Sequence, residues 1–348
     1  MTLMLNQKPK RIFSALLKLL PVLSFVAAFS ILHYLDPTSF DYTWKGRTYY
    51  LFFIWAFFLE TLLSWDDLEM SGWKLKSIKS IIFPITLLLP IIYVMAANYV
   101  GFNGYTNFNE LVVKWAINYK IGGSDPYFSG KMPLAMEYLV FTIIFEFIII
   151  TEYGISKLGK YSLSIFFLGL IGFIYLIDNL YPYGAFTPFQ IIVPTTASLA
   201  AFFLNLMGYQ ATLEVSNNAL PKIRMEELKN PDGRKFLGWI GIGWQCSGVD
   251  SLLLYSVITL IFLKRSGLSP REKIGYFIMG AIVTYLVNIL RIISIFVIGT
   301  IHGVGSEEWW RFHDYYGPLY SIIWITAYPL IIITVSSLWK KLKKNSLG

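Results

Sequence analysis

Charged residues and cysteines are scarce in this sequence. Only 14% of its 348 residues are charged, against roughly 25% in a typical soluble domain, which excludes an ordinary soluble enzyme. The single cysteine, Cys246, excludes an intrachain disulfide. The three histidines, His33, His302 and His313, lack the spacing of metal ligands, and no glycine-rich phosphate-binding loop occurs. We therefore expect neither a metal nor a cofactor.

Apolar runs take up most of the chain. Hydrophobic residues make up 55% of it and aromatic residues 18%. Each run is about 18–25 residues long, enough for a helix to cross a hydrocarbon core of about 30 Å. We predict an all-α polytopic membrane helical bundle with about eight or nine transmembrane segments. The first run lacks the cleavage site of a signal peptide, so we expect it to be retained. The candidate spans are 12–35, 48–65, 78–100, 134–153, 161–178, 186–207, 249–263, 274–300 and 316–338.

Basic clusters beside these runs indicate topology. The net charge of +8 is not gathered into a patch for nucleic acid. Lys8-Pro9-Lys10-Arg11 and Lys340-Lys341-Leu342-Lys343-Lys344 place both ends of the chain in the cytoplasm, because cytoplasmic loops carry excess Lys and Arg. Nine full spans then have the wrong parity. Pro188 and Pro194 lie in the segment 186–207, which we therefore expect to be re-entrant or broken.

Two polar stretches, 101–133 and 208–248, are longer than simple connections. Short alternating segments punctuated by Asn217-Asn218 and Asp232-Gly233 predict a small β-hairpin element in the second stretch. We divide the chain into an N-terminal transmembrane bundle (1–207), an extracytoplasmic segment (208–248) and a C-terminal three-helix core with a basic tail (249–348).

Three residues of complementary chemistry fall on the predicted outer side of the last three spans. Cys246 precedes one span, Arg291 lies in the outer half of the next, and His313 precedes the last. A helix N-terminus and a neighbouring cation stabilise a thiolate. The pattern indicates a cysteine nucleophile, with Arg291 holding the thiolate or an oxyanion and His313 moving the proton. Each residue alone is compatible with a structural role, and their convergence favours chemistry.

Neighbouring residues are candidates for supporting roles. Asp250, one helical turn after the cysteine, either orients the arginine or forms a structural ion pair. Asn288, three residues before the arginine, is a candidate for holding the substrate backbone. Backbone N–H groups at Ser247 and Gly248 are candidate oxyanion donors. The supporting set is Ser247, Gly248, Asp250, Asn288 and Asp314.

Three motifs carry a resemblance to a known family. Cys246-Ser247-Gly248, Asn288-Ile289-Leu290-Arg291-Ile292 and His313-Asp314-Tyr315-Tyr316-Gly317, in this order and at helix ends, resemble the signature of the exosortase/archaeosortase family of integral membrane transpeptidases. The resemblance implies a Cys/Arg/His site on the extracytoplasmic side of the plasma membrane. The Lys/Ile/Asn/Tyr-rich composition favours the archaeal branch.

The same resemblance implies a substrate and a reaction. The substrates are surface proteins whose C-termini carry a short motif, a transmembrane helix and a basic tail. They are cut near the motif, held as a thioester on Cys246, and passed to a lipid or cell-envelope acceptor.

Some alternatives stay open. His302 is a second histidine in the same outward segment, and Arg311 is a second cation there. An intramembrane cysteine protease, which releases its product to water, forms the same thioester. Transport is a different class of function and would depend on the intramembrane carboxylates Glu60 and Glu146. The sequence assigns no role to these two residues or to Glu137. A non-catalytic scaffold leaves the convergence unexplained.

Substrate access leads to three further expectations. A substrate helix has to enter from the lipid, so we expect one side of the last three spans to be open or lined by small residues such as Gly275, Gly280 and Ala281. We expect the segment 208–248 to cover the substrate motif by strand pairing. Trp309-Trp310 is expected to belong to the interfacial aromatic belt.

Overall fold

The computed structural model describes residues 7–41, 46–68, 79–99, 114–120, 132–181, 191–215, 220–229, 235–244 and 246–345. The chain forms two compact units, Met1–Leu180 and Tyr181–Gly348.

Apolar helices lie at all nine predicted spans. In the described part of the chain, five helices are long and apolar enough to cross a membrane, and four shorter apolar helices accompany them. The predicted all-α polytopic membrane fold is confirmed. The short helix α9 continues into the last helix through a π-helical turn, Phe312–Tyr316. The helices are α1 (Gln7–Leu35), α2 (Thr48–Leu63), α3 (Lys79–Tyr99), α4 (Met132–Tyr153), α5 (Ser162–Leu180), α6 (Val193–Leu206), α7 (Val249–Arg265), α8 (Pro270–His302), α9 (Glu307–Arg311) and α10 (Gly317–Asn345).

The first unit has an aromatic core. Phe25 of α1 is fully buried among two rings of α2, Phe53 and Phe57, and two of α4, Phe141 and Phe145. Their centroids lie between 5.3 and 6.3 Å from that of Phe25, in tilted or edge-on arrangements. Such pairs add to the stabilisation from burial, so much of the aromatic content of this unit serves packing.

Two intramembrane carboxylates of the first unit have structural partners. Glu137 accepts two hydrogen bonds of 2.8 Å from the guanidinium of Arg47, in a bidentate ion pair. Glu60 accepts from the backbone N–H groups of Leu163 and Ser164, at 3.3 and 3.1 Å. Because the first N–H groups of a helix have no partner within it, Glu60 caps α5. Glu60, one of the two carboxylates on which the transport alternative depends, therefore has a structural role as a helix cap.

Helix α6 of the second unit is shorter than a full span. Its 14 residues rise about 21 Å, short of a hydrocarbon core of about 30 Å. Thr196, near its start, contacts the hydroxyl of Tyr285 at 2.7 Å. Leu206, at its end, lines a cavity with Val297 and Ile298. Helix α6 therefore runs alongside α8 in the same direction.

A three-stranded antiparallel sheet follows α6. Its strands lie in the order β1 (Ala211–Glu214), β2 (Lys222–Lys229) and β3 (Lys235–Gly241). The predicted hairpin is present as β2 and β3, and β1 adds a third strand. Ile223 is fully buried on one face, whereas Arg224 and Trp239 are exposed on the other. This alternation is typical of a sheet with one face covered.

The last three long helices are joined by polar contacts. Tyr255 of α7 donates to the carbonyl of Phe277, and Tyr328 of α10 donates to that of Tyr276, at 2.7 and 2.6 Å. A Cβ at Gly280 of α8 would collide with the Tyr255 hydroxyl and the Tyr328 ring. Gly280 therefore allows close helix packing and does not line an open groove, which corrects that expectation.

Candidate functional site

Cys246 lies in a tight turn that connects β3 to α7. Its N–H donates to the carbonyl of Gly243 at 3.0 Å, and its side chain is half-buried. Gly248, two residues later, adopts φ +103° and is the N-cap of α7. Only glycine takes this left-handed conformation without steric cost. The thiol thus lies just before a helix N-terminus, where the helix dipole favours negative charge.

His313 lies in the π-helical turn between α9 and α10 and is in hydrogen-bond contact with the Cys246 side chain. Its Nδ1 lies 2.7 Å from Oδ1 of Asp314. Its ring stacks on that of Trp309, with centroids 5.2 Å apart and planes inclined by 22°. The carboxylate and the indole hold the imidazole from two sides, which fixes its orientation.

Arg291 lies beside this histidine. Its Nη2 donates to the carbonyl of His313 at 3.2 Å. Its positive charge is close enough to the His313 imidazole to interact with it electrostatically. Its Nε is buried and has no hydrogen-bond partner among the described residues. A Cβ at Gly317 would lie 3.0 Å from that Nε, so Gly317 makes room for the guanidinium. A buried donor without a partner is costly, and such a group is available to a ligand.

Asn288 holds the turn that carries the cysteine. It is fully buried, and its Nδ2 donates to the carbonyl of Cys246 at 3.1 Å. A Cβ at Gly248 would lie 2.9 Å from that Nδ2, so the glycine lets the amide approach. The amide N–H therefore positions the protein's own backbone. Its Oδ1 is buried and has no hydrogen-bond partner in the described chain.

The other predicted residues differ in their placement. Ser247 is buried, and its hydroxyl donates to the Trp244 carbonyl at 2.6 Å. Asp250 lies in the first turn of α7, and its side chain is outside the described residues. His302 is exposed at the end of α8, and Arg311 lies over the Tyr316 ring at 5.6 Å. The described residues hold no cluster of His, Cys, Asp or Glu suited to a metal ion.

Trp309 is a site residue that the sequence reasoning misassigned. It is 7% exposed, whereas a residue of the aromatic belt has one side in the lipid headgroups. Its indole packs against Gly299 of α8 and stacks on His313. Trp310, 51% exposed, fits the belt. The sequence signal that could have placed Trp309 in the site is its position four residues before His313, because residues four apart lie on the same side of a helix.

These features define a multi-pass membrane protein with a thiol, an imidazole and a guanidinium in one place. These are the groups that nucleophilic acyl transfer requires, since in that reaction a base activates the thiol and a cation stabilises the oxyanion. The family model described as transmembrane exosortase (Exosortase_EpsH) matches residues 44–330, and the chain belongs to this family. Comparison with curated proteins and with solved structures gives no significant match.

Proposed function

We propose that this protein is a membrane-embedded cysteine transpeptidase that sorts surface proteins. The single observation that carries the proposal is the contact between Cys246 and His313 beside the partly unpaired guanidinium of Arg291. Family membership supports membrane-protein substrates with sorting signals.

The geometry supports a role for each group. Asp314 occupies Nδ1 of His313, so Nε2 is the nitrogen left to take the proton of the Cys246 thiol. The sulfur attacks the scissile carbonyl, and Arg291 stabilises the oxyanion. The C–N bond then breaks, the leaving amine takes a proton from the imidazolium, and a thioester remains on Cys246.

The acceptor completes the reaction. An acceptor hydroxyl or amine gives its proton to His313 and attacks the thioester, which restores the thiol and anchors the protein. A lipid or cell-envelope group as acceptor gives transfer. Water in its place gives hydrolysis, and the protein then acts as an intramembrane cysteine protease.

The side of the membrane follows from the basic clusters. Lys264 and Lys273 flank the connection between α7 and α8, which favours the cytoplasm for that connection. Cys246, at the other end of α7, and the turn that carries His313, beyond the other end of α8, then face the extracytoplasmic side. This side is where surface proteins are anchored, and the composition favours the archaeosortase branch.

The test is a set of variants in the native host. We expect Cys246→Ala, Arg291→Ala and His313→Ala to abolish the C-terminal mass shift of surface proteins, with the enzyme inserted at normal levels. Exposed His302→Ala is the matched control and should retain processing. Cys246→Ser, a poorer nucleophile, should be inactive as well. Normal processing by Cys246→Ala would overturn the proposal and direct attention to Glu146 and transport.

Transfer and hydrolysis are separated by the product. Mass spectrometry of the processed C-terminus shows an added acceptor for transfer and a free carboxylate for hydrolysis. Addition of hydroxylamine during turnover should yield a C-terminal hydroxamate, because this strong nucleophile intercepts a thioester.

A further inference from the structure

We propose that the free edge of β3 is a strand-addition site for the extended segment of the substrate beside the scissile bond. This inference rests on the proposed function and names how the substrate is held. Strand addition supplies main-chain hydrogen bonds independently of side-chain identity. It therefore suits an enzyme that processes several proteins with a short common motif.

The first observation is that the outer edge of β1 is blocked at its first residue. The side-chain amide of Asn205 accepts from the Ala211 N–H at 2.8 Å and donates to the Ala211 carbonyl at 2.9 Å. Ala211 is one of the two residues of β1 that point outward, and Leu213 is the other. Side chains that block an edge in this way prevent unwanted pairing. A peptide that added to β1 would lose half of its pairing there, so β3 is the favoured edge.

The second observation is the direction of the backbone groups of β3. In an antiparallel sheet, successive residues point their N–H and C=O groups to opposite sides. The Ile242 N–H donates to the Pro221 carbonyl on the β2 side, at 2.8 Å. Gly241 and Trp239, which pair with Lys222 and Arg224, therefore point away from β2. The register of β1 gives the same result. Ala211 points its N–H and C=O away from β2 and pairs with Met225, so Met225 points its own groups toward β3. Met225 pairs with Gly238 of β3, and the next residue, Trp239, therefore points its groups to the outer side.

The third observation is that this edge is open. Among the described residues, no backbone hydrogen bond outside the ladder involves Trp239 or Gly241. The Trp239 side chain is 59% exposed. A Cβ at Gly241 would meet nothing closer than 3.9 Å. Four backbone groups, two N–H and two C=O, are thus available for an added strand. The exposed Trp239 ring beside them carries the Lys222 ammonium 3.9 Å from its centroid.

The fourth observation is that this edge leads to the nucleophile. The same alternation directs the carbonyl of Gly243 to the open side, where it accepts the N–H of Cys246. Two extended residues and one tight turn separate Gly241 from Cys246, a distance of at most about 14 Å. A strand paired with Trp239 and Gly241 therefore passes within a few residues of the thiol.

Proline substitution at the edge tests this inference. Proline is tolerated where a strand N–H faces solvent, and Gly241→Pro removes an outward N–H without removing a ladder bond. We expect KM to rise about tenfold with little change in kcat, because binding is weakened and the catalytic groups are untouched. Gly241→Ala keeps the N–H and should behave as wild type. Leu213→Pro removes an outward N–H from β1, at the opposite edge of the sheet, and is the matched control.

The assay uses the full-length enzyme in lipid nanodiscs. Its substrate is a synthetic peptide of about twelve residues centred on the cleavage site mapped in the host, long enough for an edge strand. An N-methyl group at each peptide nitrogen in turn gives a test that needs no enzyme variant. Strand addition predicts an alternating pattern in which every second methylation raises KM.

The outcomes separate the two proposals. Cleavage by Cys246→Ala refutes the cysteine mechanism, whatever the edge variants do. Wild-type KM for Gly241→Pro together with a uniform N-methyl scan overturns strand addition and leaves the transpeptidase proposal intact. If Gly241→Pro does not fold, the N-methyl scan on the wild-type enzyme decides alone.

Discussion

The contact between Gly248 and Asn288 allows a quantitative prediction for the substitution Gly248→Ala. The residue has φ +103°, and an L-residue in the left-handed region costs about 1–2 kcal/mol. In addition, the new Cβ would lie 2.9 Å from Asn288 Nδ2 and 3.0 Å from its Cγ. Both atoms belong to a fully buried side chain. Overpacking of this kind costs about 1–3 kcal/mol more.

Gly208→Ala is the matched control for backbone strain. Gly208 has φ +91°, and no atom of the described residues lies within 4 Å of the position that a Cβ would take there, so only the strain cost applies. Thermal unfolding in detergent should therefore place Gly248→Ala about 1–3 kcal/mol below Gly208→Ala. Activity should diverge further, because the displaced amide releases the Cys246 carbonyl, and we expect kcat to fall at least tenfold for Gly248→Ala alone.

A double-mutant cycle tests whether the contact with Asn288 causes the loss of stability in Gly248→Ala. In an Asn288→Ala background the contacts at 2.9 and 3.0 Å are absent and only the Cβ of residue 288, at 3.2 Å, remains, so the cost of Gly248→Ala should there fall close to that of Gly208→Ala. If Gly248→Ala and Gly208→Ala lower the free energy of unfolding equally in the wild-type background, the reasoning is refuted. The close approach of Asn288 to Gly248 would then make no contribution to the cost of the substitution.

Three more predictions concern neighbouring contacts. Gly317→Ala places a Cβ 3.0 Å from Arg291 Nε; it should lower kcat by displacing the guanidinium while the protein stays folded, as measured by turnover and size-exclusion chromatography. Asp314→Asn removes the carboxylate 2.7 Å from His313 Nδ1 and should reduce kcat about tenfold or more in the same assay, because the imidazolium and its tautomer lose their partner. Arg47→Met leaves a buried carboxylate unpaired and should lower stability by about 3–5 kcal/mol, with unchanged kcat per folded molecule; a change in kcat without loss of stability would contradict the structural role.

The helical fold could be predicted because hydropathy is a strong and local signal. A run long enough to cross the membrane has to form a helix, since a lipid-exposed backbone has no other way to satisfy its hydrogen bonds. The expectation that 186–207 is re-entrant or broken stays a prediction; of this segment the structure describes 191–207, with α6 as a helix of 14 residues. The alternating segments of 208–248, Ala211-Thr212-Leu213-Glu214 among them, predicted a small β element as well, and only its number of strands, three, was not predicted.

The contacts within the site were only partly predictable. The order and placement of Cys246, Arg291 and His313 indicated their proximity, and the structure brings His313 into contact with the other two. The closure of Gly280 by two tyrosines depends on which helix faces which, and its apolar neighbours in the sequence gave no clue to such a tertiary pairing. The stacking of Trp309 on His313 is local, and the four-residue spacing of the two residues was its signal in the sequence.

The π-helical turn has a consequence for how this site is altered by changes in chain length. The N–H of Gly317 donates to the carbonyl of Phe312, five residues back, so the turn holds one residue more than an α-helix would at this place. Removing one residue from Phe312–Tyr316 would restore regular winding and leave the flanking helical segments nearly in place, because the wide turn holds just one extra residue. The side chains within the turn would change direction, so His313 should move away from Cys246 although no residue of the proposed site is replaced. The extra residue of this turn is thus itself expected to matter for activity, and substitution scans that preserve chain length do not test it.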